Sequence, residues 1–182
     1  MNKITKLLAI FSLTICSTFA NAGLITDQAA ITSAGQSFEY NFSGLDPVSG
    51  TAGVFTLFGR GDFTVSAGSG DSEWATFDID GLVSGLAHPR IGAPASIIIT
   101  EHSMQDVSFS ATFDLSSSDI TNIFSDGMLD ISLAITNAVN IIDGNSMLGF
   151  SLSYKSASVP EPSTLAVFAL GIFGLVSRKL KK

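Results

Sequence analysis

Residues 107–115 read VSFSATFDL, with Val107, Phe109, Ala111, Phe113 and Leu115 on one side of an extended chain and Ser108, Ser110, Thr112 and Asp114 on the other. Successive side chains of a strand point to opposite faces, so this period of two predicts a half-buried β-strand with one core face and one wet face. The same pattern recurs downstream. Leu129, Ile131, Leu133 and Ile135 alternate with Asp130, Ser132, Ala134 and Thr136, and Leu148, Phe150, Leu152 and Tyr154 alternate with Gly149, Ser151, Ser153 and Lys155.

Upstream, Phe38, Tyr40 and Phe42 predict another strand, and Phe63, Val65 and Ala67 a further one. Residues 54–58 and 97–99 are apolar on both faces and read as central strands. Asp46-Pro47, Ser69-Gly70-Asp71, Asp80-Gly81, His88-Pro89, Asp126-Gly127 and Asp143-Gly144-Asn145 supply turns. Residues 118–124 predict one helical turn capped by a serine. No stretch of the body sustains a 3.6-residue apolar face for three turns. Eight to ten short strands joined by Gly/Asp/Ser turns point to an all-β body, an antiparallel β-sandwich or jelly roll, with a flattened barrel as the alternative.

The chain has 182 residues and a mass of 19.0 kDa, and its charge is unevenly spread. The formal net charge is -7, yet six of the nine basic residues lie at the two ends. The body, 23–159, keeps only Arg60, Arg90 and Lys155 against fifteen carboxylates. A surface so acidic repels phosphate backbones, which argues against nucleic-acid binding.

Residues 1–22 read MNKITKLLAIFSLTICSTFANA. Lys3 and Lys6, an apolar stretch over 7–15, and the small-x-small Ala20-Asn21-Ala22 form the layout of a secretory signal peptide, with signal-peptidase cleavage expected before Gly23. Cys16 leaves with that segment, so the expected mature chain has no disulfide, thiolate site or cysteine nucleophile.

The other end reads VPEPSTLAVFALGIFGLVSRKLKK. Pro160 and Pro162 interrupt any preceding element, and 165–176 is an unbroken run of twelve apolar or glycine residues. As a helix that run is about 18 Å long against a hydrocarbon core near 30 Å. Flanking residues and snorkelling basic stems bring the expected membrane helix, 165–177, to marginal spanning length. Arg178, Lys179, Lys181 and Lys182 favour the cytoplasmic side.

Pro160-Glu161-Pro162, the apolar run and the basic end, paired with an N-terminal signal, resemble the PEP-CTERM sorting signal of Gram-negative bacteria. The resemblance covers 159–182. It implies a domain plan of signal peptide 1–22, body 23–159 and sorting signal 160–182. It also implies an inner-membrane-anchored intermediate processed by an exosortase at Pro160–Pro162, and delivery to the cell envelope, surface or medium, with ties to exopolysaccharide and biofilm. Stretches 63–85 and 113–154 are similar in their strand–Asp-Gly–strand layout to carbohydrate-binding, discoidin-like β-sandwiches, and no catalytic motif comes with that likeness.

No GxSxG, HExxH, P-loop or dinucleotide fingerprint occurs, and His88 and His102 read as turn or surface histidines, so the body is expected to be non-enzymatic and cofactor-free. Three features stand as alternatives. Asp71, Glu73, Asp78 and Asp80 fall within ten residues around strand ends, where a calcium ion could find oxygen ligands. Trp74 alternates away from Ala75, Phe77 and Ile79, and on a wet face its indole would offer a platform for a sugar. The many carboxylates also leave open a glycosidase-like pair. The expected role is structural or adhesive, with exopolysaccharide or other matrix proteins as partners. A carbohydrate- or calcium-binding module and a secreted carboxylate-dependent glycoside hydrolase are the competing readings.

Overall fold

The strand that organises the molecule is Gly53–Gly61, in which every second residue is buried and Phe55 and Leu57 lose all solvent contact. The structure is a computed structural model that describes residues 22–48, 50–63, 73–142 and 144–155. In chain order its strands are β1 (Ala22–Ala30), β2 (Ser37–Ser43), β3 (Gly53–Gly61), β4 (Ala75–Ile79), β5 (Val83–Ala87), β6 (Ile98–Glu101), β7 (Val107–Leu115), β8 (Met128–Ile135) and β9 (Met147–Lys155). One helix, α1 (Ser117–Ile123), and a 3-10 turn at Pro89–Ile91 complete the described elements.

The strands form two antiparallel sheets, ordered β1-β9-β3-β7-β6 and β2-β8-β4-β5. The alternation read from the sequence is the alternation observed. Val107, Phe109, Ala111 and Leu115 of β7, Leu129, Ile131, Leu133 and Ile135 of β8, and Leu148, Phe150 and Leu152 of β9 are all buried. Aromatic rings join the sheets face to face. Phe55 of β3 lies 4.4 Å from Phe77 of β4, Tyr40 of β2 lies 5.1 Å from Phe150 of β9, and Phe77 lies 4.7 Å from Phe113 of β7, measured between ring centroids. Offset and edge-on ring pairs of this kind add to the area they bury. The fold is therefore all-β, with its core between two sheets.

Helix α1 forms where the serine-capped turn is expected. The Ser116 side chain accepts from the Asp119 N–H and Asp119 accepts in return from the Ser116 N–H, a capping box that satisfies donors the short helix would otherwise leave open. Ile120 and Ile123 pack beneath it. The β4–β5 turn closes with the Leu82 N–H donating to the Ile79 carbonyl, and Asp80 and Gly81 both take positive φ, 54° and 66°. Asp and Gly tolerate that conformation, which is why Asp-Gly signals a tight hairpin.

Residues 97–99 correct the reading as a central strand. β6 lies at the sheet edge, pairs only with β7 among the described strands, and all four of its residues are exposed, Ile98 by 71%. An apolar run on both faces marks a strand without saying what covers it. For the expected strand at Phe63, Val65 and Ala67, Phe63 is buried against Phe109, and 64–72 lie outside the described residues. Ala20 and the rest of 1–21 lie outside them too, as does the tail with Pro160, Glu161, Pro162 and its basic end. Among the described residues no helix is long and apolar enough to cross a membrane; the expected span 165–177 is not among them.

Candidate functional site

The register of the second sheet gathers carboxylates on its outer face. Glu39 of β2 pairs with Ser132 of β8, and Ser132 with Asp78 of β4, so these side chains form a row across three strands. Asp130 sits one step further along β8, level with Asn41 and beside the Asp80 turn. Asn122 of α1 and Asp126 of the following turn close the end. Together they line an open, polar cleft of about 530 Å³.

Each of these acidic residues is first occupied by a main-chain N–H, local for Asp78 and Asp126 and from the neighbouring strand β8 for Asp80. Asp78 accepts from the Gly81 N–H at 2.7 Å, Asp126 from the Met128 N–H at 2.9 Å, and Asp80 Oδ1 from the Asp130 N–H at 2.7 Å. Asp80 Oδ2 is buried without a hydrogen-bond partner. Burial raises the Asp80 pKa, the Asp130 N–H opposes this, and the charges of Asp130, Asp126 and Asp78 add to the rise. The folded chain thus holds this proton more tightly than the unfolded chain. Ionised Asp80 weighs fully against the fold above its raised folded pKa, and not at all below the ordinary carboxylate value. Asp80→Asn keeps the acceptor for Asp130 and suits a positive φ. We expect it to raise Tm by a few degrees at pH 7, with the gain vanishing below the ordinary carboxylate range in a pH series of thermal melts. A lower Tm at pH 7 would mean that the carboxylate has a favourable partner.

Of the four acidic residues singled out as a calcium set, Glu73 and Asp80 stand at opposite ends of β4. Glu73 is buried before the start of β4 and Asp80 follows its end, so an extended chain holds them roughly 20 Å apart. Asp78 and Asp80 join the cleft, and Asp71 lies outside the described residues. No group of three or more His, Cys, Asp or Glu side chains among the described residues is arranged to hold a metal ion. Glu39 and Asp130 escaped the sequence reading because they come from strands far along the chain. Their only signal was a polar position on the wet face of an alternating strand.

Trp74 stands on the face opposite Ala75 and Phe77, as the alternation implies, but it is half-buried. Its ring lies 5.9 Å from that of His88, and its main chain is fixed to Thr136, whose Oγ1 accepts from the Trp74 N–H and whose N–H donates to the Trp74 carbonyl. His88 is only 5% exposed, and desolvation lowers its pKa, which favours the neutral imidazole. His102 is exposed and shares a 2.8 Å hydrogen bond with Ser108.

The two chain exits are neighbours. β1 pairs with β9 so that Ala22 lies opposite Lys155 and Gly23 opposite Tyr154. The expected cleavage junction, Ala22–Gly23, is thus at the first residues of an edge strand, beside the last described residue before the tail. The chain has no match among curated proteins and none among solved structures. Residues 158–182 match the family model of the PEP-CTERM protein-sorting motif, so the chain carries at its C-terminal end an address for exosortase processing and export through the cell envelope.

Proposed function

We propose that this chain is a non-enzymatic structural or adhesive protein of the Gram-negative cell surface, working without a cofactor. Residues 165–177 hold it in the inner membrane as an intermediate, with Arg178, Lys179, Lys181 and Lys182 on the cytoplasmic side. Exosortase then acts at Pro160–Pro162, and the acidic β body becomes part of an exopolysaccharide-rich matrix or biofilm. Many weak contacts to polysaccharide or neighbouring proteins sum there through multivalency.

The observation that carries this reading is the sorting motif at 158–182. It is supported by the end of β9 at Lys155, which lets a cut at 160–162 leave every described strand whole. The test is the intact mass of the protein from its native host, measured separately in membrane and released fractions. We expect a released form that begins at Gly23 and ends near Pro160. A variant carrying Pro160→Ala, Glu161→Ala and Pro162→Ala should remain entirely in the membrane at the unprocessed C-terminal mass. A wild-type protein that keeps 165–182 in every fraction would overturn the reading.

A further inference from the structure

The body's charge and its exposed apolar side chains are segregated. Residues 81–105 contain one cation, Arg90, and one anion, Glu101, while the rest of 23–155 carries fourteen carboxylates against Arg60 and Lys155. The entire net charge of the body therefore lies outside this one segment. Within it fall six of the nine large apolar residues exposed among the described residues: Leu82 in the β4–β5 turn, which borders the acidic cleft, and then Leu86, Ile91, Ile98, Ile99 and Met104. Ile91 is 69% exposed and Met104 93%.

The topology places the last five of these on one flank. β5 ends the second sheet and β6 ends the first. Phe77 of β4 contacts Phe55 of β3 and Phe113 of β7, while Tyr40 of β2 contacts Phe150 of β9, so β5 and β6 end their sheets on the same side. The Pro89–Ile91 turn crosses between them, and Arg90 reaches Glu101 at 3.3 Å. The neighbouring cation, Arg60, is likewise paired, donating twice to Asp106.

We propose that this flank is a two-fold interface between copies of the chain, with β6 edges pairing antiparallel. Two bodies that each carry a strong negative charge repel wherever their acidic faces meet, and long-range repulsion selects against every approach except through a neutral patch. Here each copy offers one Arg90–Glu101 pair, so a two-fold contact sets unlike charges within reach and introduces no like pair by necessity. Among the described strands β6 has a neighbour on one side only, and a copy of the same strand is complementary to its outer edge. Four residues pair weakly by themselves, and the surrounding isoleucines supply the apolar area. The interface belongs to the body and does not depend on how the tail is processed.

The test uses the full chain in a non-ionic detergent, with mass by light scattering and detergent counted separately. We expect a two-copy protein mass. Ile98→Lys should weaken association by about thirty-fold or more, with an unchanged far-ultraviolet circular dichroism spectrum. In a Cys16→Ser background, Thr100→Cys should cross-link copies on oxidation and Leu24→Cys, on the opposite edge, should not. A one-copy mass throughout would overturn the proposal. So would a two-copy mass that survives Ile98→Lys but is lost on Leu170→Lys, because the contact would then lie in the tail.

Discussion

Phe150→Ala is expected to lower the free energy of unfolding by about 3–5 kcal/mol, the cost of removing a fully enclosed aromatic ring and leaving a cavity. Phe150 has no exposed surface and sits where the two sheets meet, with ring centroids of Tyr40, Phe42 and Phe55 at 5.1, 6.2 and 5.9 Å. Strands on either side of β9 are held by their ladders, so they cannot close over the gap. A domain of this size has about 5–15 kcal/mol of stability in all. The variant should therefore unfold at a much lower urea midpoint with a similar slope, or fail to accumulate. Phe150→Leu, which refills part of the space, should recover most of the midpoint. A Phe150→Ala midpoint within error of the parent would show that the sheets are not joined through this ring.

Gly149→Val is expected to cost about 1–3 kcal/mol or more by the opposite mechanism, overpacking. Gly149 lies between Gln28 of β1 and Phe58 of β3. A Cβ there would meet Gln28 Cβ at 2.6 Å, the Asp27 carbonyl oxygen at 2.7 Å and Phe58 Cε2 at 2.8 Å. Two of those three are main-chain oxygen and the first carbon of a side chain, which cannot swing aside. β1 is held by β9 alone among the described strands, so it is the element that must yield. Amide exchange should accordingly rise across Ala22–Ala30 before it rises in β3. Equal protection in β1 for variant and parent would contradict the register.

These positions also show what a linear sequence can and cannot convey. The alternation in 107–115, 128–136 and 148–155 predicts which residues face inward, because that follows from local backbone geometry. Strand order does not follow from it. Residues 97–99 look as apolar as 54–58, yet one lies at an edge and the other between two partners, and nothing local separates a covered isoleucine from an exposed one. The candidate site divides in the same way. The Asp80-Gly81 turn is legible from two residues, whereas its neighbours Glu39 and Asp130 arrive through pairings across the sheet. His88 beneath Trp74 is likewise set by the β4–β5 hairpin and is invisible to the alternation that places the indole.

The pairing of β1 with β9 has a consequence for the order of events during export. A chain delivered from its N-terminal end can assemble the β4–β5 and β6–β7 hairpins early, since each joins neighbours in sequence. The first sheet must wait. β1 finds its partner, and β3 its second neighbour, only when Met147–Lys155 emerges, and such long-range closure is slow. The residues that complete the body stand just ahead of the sorting segment at 158–182. Finishing the fold therefore comes before presenting the address: a chain long enough to be sorted has already delivered the strand that holds β1.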